Sequence, residues 1–297
     1  MKKYNSIIIR LTILTYSLLL ISMLSWAQGN EGQSPKQKPV KNTFGSAWIM
    51  DNQSVMVPEK GTLEFDIQHR FGVVNKDGIK DLFGFFAPSN IRLGLSYAPV
   101  KNLNLGAGIT KERMQVDLFG KYAILMQTPG SMPISMTYLG NAVIDARDKE
   151  NFRYGVHRLS YFNQLIFARK FSDKFSAQVA PSLSWFNNVE AYVDKNGEIQ
   201  PKMNNEHLAV SFSARYAITE ALGLAIGLDQ PLTTHTTNNP HPNINFGIDI
   251  NTSSHAFQIF AGNYYGIVPQ SNNMYNQNNF RDGQFLLGFN ITRLWNY

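Results

Sequence analysis

The end of the chain constrains the fold most. Phe285, Leu287, Phe289 and Ile291 alternate with Gln284, Leu286, Gly288, Asn290 and Thr292, and Trp295 and Tyr297 continue the odd-numbered face past Arg293. A period of two puts successive side chains on opposite faces of a strand. One face here is apolar and aromatic, the other mostly small or polar. The pattern recurs upstream. Leu63, Phe65 and Ile67 oppose Glu64, Asp66 and Gln68; Ile244, Phe246, Ile248 and Ile250 oppose Asn245, Gly247, Asp249 and Asn251. Alternation alone fits a sandwich with its apolar faces on a core as well as a barrel with its apolar face in lipid.

The connections separate the two. From Gly61 about twelve amphipathic strands are expected, at roughly 61–71, 90–98, 102–111, 113–126, 132–145, 156–170, 175–187, 206–218, 222–230, 243–251, 255–264 and 283–295. Every second connection is a tight turn, as at Pro99-Val100-Lys101, Ser172-Asp173-Lys174 and Thr252-Ser253-Ser254. The intervening ones are mostly long, around 72–89, 146–155, 188–205, 231–242 and 265–282, with a short exception at Lys111-Glu112. Short turns alternating with long loops mark a single closed antiparallel transmembrane β-barrel with periplasmic turns and extracellular loops. The Asn-rich stretch Asn272 to Asn279 reads as solvated loop.

The N-terminus reads as a secretory signal over residues 1–27. Lys2, Lys3 and Arg10 flank the apolar run Leu11 to Leu24, and Ser25-Trp26-Ala27 places the cut before Gln28. The chain has no cysteine, which excludes disulfides and thiolate metal sites. Its formal charge is +6, of which the signal carries three bases and no acid, leaving +3. So small and scattered an excess does not indicate nucleic acid. Residues 28–41 read as a flexible periplasmic leader, 42–58 as a periplasmic cap or lumen segment, and 59–297 as the barrel.

Parity places Arg70, Arg92 and Arg158 on the inward face near the outer mouth, with Glu64, Asp66, Asp117, Lys121 and Arg215 as further lumen or rim groups. Free cations at a mouth would favour anions, whereas pairing with lumen acids would cancel that bias. Tyr97, Tyr122, Trp185, Tyr216 and Trp295 lie near strand ends, where aromatic side chains sit at a membrane interface. Phe285, Leu287, Phe289, Ile291, Trp295 and Tyr297 form a terminal strand suited to barrel insertion. His235 and His241 have no third ligand nearby in sequence, and no metal or cofactor is expected. Gly106-Ala107-Gly108 falls inside a strand, where small residues let other side chains approach the wall.

The ordered stretches Glu59-Lys60-Gly61, His69-Arg70-Phe71-Gly72, Leu82-Phe83-Gly84, His157-Arg158-Leu159-Ser160-Tyr161, Ala168-Arg169-Lys170-Phe171-Ser172 and Gly288-Phe289-Asn290-Ile291-Thr292-Arg293 span roughly residues 43 to 293. In that order the chain resembles a domain-of-unknown-function family of outer-membrane β-barrels from Bacteroidetes-type bacteria. The resemblance implies a Gram-negative outer membrane, with lipid and lipopolysaccharide around the wall and the barrel-insertion machinery as a biogenesis partner. It implies no activity.

Three functional classes remain. A narrow channel or passive transporter for small polar solutes is the first expectation. A non-conducting adaptor barrel, plugged by 42–58 and binding an unidentified protein partner through its leader or outer loops, is the second. A lipid hydrolase is the third, and no enzyme is expected. The chain lacks a Gly-x-Ser-x-Gly elbow, and His157 and Ser160 have opposite parity.

Overall fold

The computed structural model describes residues 37–74, 81, 82 and 84–296. The signal, most of the leader and Tyr297 lie outside them. A two-stranded hairpin, β1 (Trp48–Ile49) and β2 (Asn52–Gln53), comes first. Twelve longer strands follow: β3 (Thr62–Arg70), β4 (Asn90–Val100), β5 (Leu103–Thr110), β6 (Gln115–Leu125), β7 (Ser135–Asp145) and β8 (Leu159–Lys170), then β9 (Phe175–Phe186), β10 (Glu206–Ala217), β11 (Leu222–Pro231), β12 (Asn243–Asn251), β13 (His255–Gly262) and β14 (Leu286–Asn296). Each pairs antiparallel with its chain neighbours, and β14 pairs with β3 to close a barrel. Closure leaves no unpaired edge, which the hydrocarbon layer demands of a sheet.

The apolar face points outward. Leu93, Leu95, Leu105, Ile109, Leu118, Ile226, Phe246 and Ile259 are all exposed, while their polar neighbours are buried. A soluble sandwich would have the opposite sense, and so broad an exposed apolar belt belongs against lipid. Tyr97, Tyr122, Tyr216 and Trp295 lie near the short-turn end of this belt and Trp185 near the long-loop end.

Several strand ends shift by one to three residues from expectation, and two of the shifts bear on site residues. Residues Gly155–Arg158 form a 3-10 turn rather than the start of β8. Phe285 precedes β14, and its carbonyl accepts from the Val74 N–H. Both corrections lie at the long-loop end, where loop contacts replace ladder pairing and the period of two ends.

The long loop before β14 folds inward. It carries a short helix, α1 (Pro269–Tyr275), with proline in its first turn, where the missing N–H costs nothing. Gln270, Ser271, Asn272, Asn273 and Met274 are all buried. The Asn-rich stretch expected in solvent therefore starts inside the barrel. A lumen lined by polar groups buries polar side chains, so polarity does not report exposure there.

Candidate functional site

The lumen is the candidate site, and its wall is built around Arg92. Asp66, Gly94, Gly108 and Asp117 occupy one row across β3, β4, β5 and β6. Arg92 lies two residues from Gly94 on β4, and its guanidinium crosses the two glycines. Nη1 donates to both Asp66 oxygens at 2.9 Å; Nε and Nη2 donate to Asp117 Oδ1 and Oδ2 at 2.8 Å. The glycines make room for it: a Cβ on Gly108 would crowd the Arg92 guanidinium, and one on Gly94 the Asp66 carboxylate. All three charged groups are buried, and the two-sided fork gives this buried charge its hydrogen bonds.

The other expected lumen groups divide. Arg70 and Lys121 are inward and fully buried, Glu64 is inward and buried, and Arg215 donates from Nε to Asp249 Oδ2 at 2.8 Å. Arg158 lies at the mouth, outside the strand ladder, with Nη1 donating to the Asp145 carbonyl at 3.4 Å. It sits in the 3-10 turn, its guanidinium 4.9 Å from the Phe152 ring centroid, because the strand begins one residue later. His69 faces outward and stacks on Phe289 at 5.0 Å.

The hairpin β1–β2 occupies the middle of the lumen. Trp48 pairs with Gln53 and Ile49 with Asn52, which makes Met50 and Asp51 the turn at its tip. Met50 has φ 56°, an uncommon value for a side chain of this size. The wall holds it there: Met50 N donates to Gln258 Oε1 at 3.1 Å, and Asn290 Nδ2 donates to Met50 O at 2.6 Å. Further bonds run from Lys121 Nζ to Gln53 Oε1 (2.9 Å), Asn52 Nδ2 to Asp229 Oδ1 (2.7 Å), Gln178 Nε2 to Gln53 O (2.9 Å) and Thr137 Oγ1 to Val55 O (2.7 Å). Apolar packing adds to them. Phe44, Ile49, Met50 and Val55 form one buried cluster with the inward Leu139, Phe162 and Ile166.

Helix α1 closes the lumen from the long-loop end. Gln115 Nε2 donates to Ser271 Oγ at 3.0 Å and Gln270 Nε2 to Asn141 Oδ1 at 3.2 Å. The two inserts meet where Asn272 Nδ2 donates to the Asp51 carboxylate. Between Trp48, Arg92, Ile267 and Pro269 lies a cavity of about 30 Å³, room for a water or two. Toward the short turns a vestibule of about 890 Å³ opens below residues 42–47 and 56–58, edged by Lys170, Lys174 and Arg215. Among the described residues the hairpin and α1 thus meet at the centre of the lumen, and the vestibule opens at the short-turn end.

A family model described as a membrane-bound beta barrel domain, DUF5777, matches residues 44–295. The chain belongs to that family. The DUF5777 match begins at Phe44 and so takes in the hairpin as well as every wall strand. Among solved structures the chain is similar to the NanC porin (11% identity, 79% of this chain and 99% of that one, TM-score 0.47). It is similar also to the KdgM porin (10%, 78% and 98%, TM-score 0.43) and to an outer membrane channel from Pseudomonas putida F1 (13%, 81% and 97%, TM-score 0.41). No curated protein matches the chain.

Sequence reasoning missed the hairpin's tip and the partner of His235. His235 Nε2 lies 2.9 Å from His207 Nδ1, and both rings are buried. His207 has inward parity on β10, a signal that was available, but nothing in the sequence showed that loop 232–242 turns into the lumen.

Proposed function

We propose that this barrel sits in a bacterial outer membrane, with its short turns toward the periplasm, and forms a conduit for small polar solutes that its own residues 42–58 hold shut. The observation that carries the reading is the hairpin itself. It fills a lumen whose wall is mostly polar apart from the patch of Leu139, Phe162 and Ile166, and it reaches that lumen from the end that holds the open vestibule. Most of its bonds are to neutral amide and hydroxyl groups, which water can replace at small net cost. Leaving toward the periplasm exposes the amide, hydroxyl and charged groups of the wall to water.

One observation favours the adaptor reading. Leu139, Phe162 and Ile166 face inward under the hairpin. An aqueous conduit gains nothing from such a patch, whereas a resident plug gains about 25 cal/mol for each Å² of apolar surface it covers.

Planar-bilayer recording separates the two. The mature protein should be silent, and a variant lacking 28–58 should give discrete current steps, with a heat-modifiable gel shift showing that both are folded. Silence in both would favour the adaptor; equal conductance in both would remove the hairpin as the gate.

A further inference from the structure

Arg70 is the least satisfied charge in the lumen. It is fully buried on β3. Its Nη1 is committed, donating to Asn290 Oδ1 at 2.9 Å and to the His69 carbonyl at 3.1 Å. Its Nε and Nη2 have no hydrogen-bond acceptor among the described residues. Those two groups form the edge of a guanidinium that binds a carboxylate side-on through parallel N–H donors. The head is held beside two rings, with its central carbon 4.6 Å from the Phe260 centroid and 5.7 Å from that of Tyr264.

Asp51, from the hairpin's tip, is the acid that meets this head. Its Oδ1 forms an ion pair with Arg70 Nη2 at 3.6 Å, too long for a hydrogen bond, and that oxygen accepts no hydrogen bond from another described residue. Asp66 and Asp117 hold Arg92 at 2.8–2.9 Å by contrast. The wall therefore presents a fixed, buried guanidinium edge flanked by aromatic faces, and the tethered carboxylate is set against it without completing it.

We infer that Arg70, Phe260 and Tyr264 form a carboxylate-binding subsite of the lumen, and that Asp51 of the hairpin is its internal occupant, displaced by small planar carboxylates. The substrate class this adds to the conduit, an inference that rests on the gated reading above, is small organic acids with a flat or aromatic body. A free acid can align both oxygens with Nε and Nη2, which a side chain at the tip of a strained turn does not.

Two measurements on the full chain test the subsite without recording any current. In the first, Asp51→Ala removes the internal acid. Acetate should raise the heat-modifiable unfolding midpoint of this variant above its value in chloride of equal ionic strength. Acetamide should not, and Asp51→Ala/Arg70→Gln should lose the response. Equal acetate responses in wild type and Asp51→Ala, or none in Asp51→Ala, would overturn the inference. The second keeps Asp51 in place. The chain has no cysteine, so Ser54→Cys, at a wholly buried hairpin position, reports hairpin release through maleimide labelling. Benzoate should speed labelling several-fold and benzamide should leave it unchanged; equal rates with both would refute displacement by the carboxylate. Conductance reports separately on the gate, so loss of the conduit reading and loss of the subsite give different results.

Discussion

Single residues set the energetics of this lumen. Arg92 is the shared counter-charge of two buried acids, so Arg92→Leu leaves Asp66 and Asp117 buried without it. Breaking a buried pair in this way costs about 3–5 kcal/mol, and urea unfolding in detergent should register a loss of that order. Gly108→Ala should destabilise too, because the added methyl enters the space of the guanidinium. His235 carries a pH dependence. Its Nδ1 accepts from the Asn204 N–H at 3.1 Å, so its other nitrogen carries the hydrogen and donates to His207. A second proton on His235 would have to sit against the Asn204 N–H. Burial pushes the His235 imidazole below its ordinary range, with Glu206 opposing. The folded ring therefore refuses a proton that the unfolded chain accepts below about pH 6.5. Stability in this region is whole above that pH and falls as the pH drops. Protection factors for amide exchange in 232–242, corrected for the intrinsic pH dependence of exchange, should fall as the pH drops from about 7.5 to about 5, and His235→Gln should reduce that fall.

The wall strands were legible as elements because each has one face in lipid and one in a polar lumen, so the side-chain period survives in the sequence. All twelve observed strands fall on the expected stretches. The hairpin and α1 were not legible in the same way. The hairpin's strands are two residues long, too short to show a period, and α1 buries asparagine and glutamine, which read as loop. Arg158 was expected on a strand because parity was extended past the start of the ladder at Leu159. The row of Asp66, Gly94, Gly108 and Asp117 lay beyond reach for another reason: register across four strands is set by turns and a bulge that no single strand encodes. The hairpin's apolar grip gives a prediction at this scale. Ile49→Asp sets an unpaired carboxylate in the cluster of Phe162 and Ile166, which an apolar site resists. Residues 42–58 should become protease-sensitive while the heat-modifiable shift of the barrel persists. Protection equal to wild type would mean that polar bonds alone hold the hairpin.

Taken as one body, the molecule carries its inward bases and acids in near balance. Arg92 lies between Asp66 and Asp117, Arg215 is on Asp249, and Lys121 and Arg70 face a lumen that also holds Glu64 and Asp229. Paired charges cancel as seen by a passing ion. The barrel freed of its hairpin should thus discriminate weakly between small anions and cations, with a reversal potential near zero under a salt gradient. A strong anion preference would mean that Arg70, relieved of Asp51, dominates the field. The place of the hairpin in the chain has a consequence for assembly. The seam of the wall joins β3 to β14, the first and last of its strands, and residues 54–61 tether the hairpin to β3. A wall wound in chain order keeps its filling at the leading edge until the final strand arrives. In that order of assembly the hairpin would serve as a mandrel, the form around which the sheet is rolled before the seam shuts.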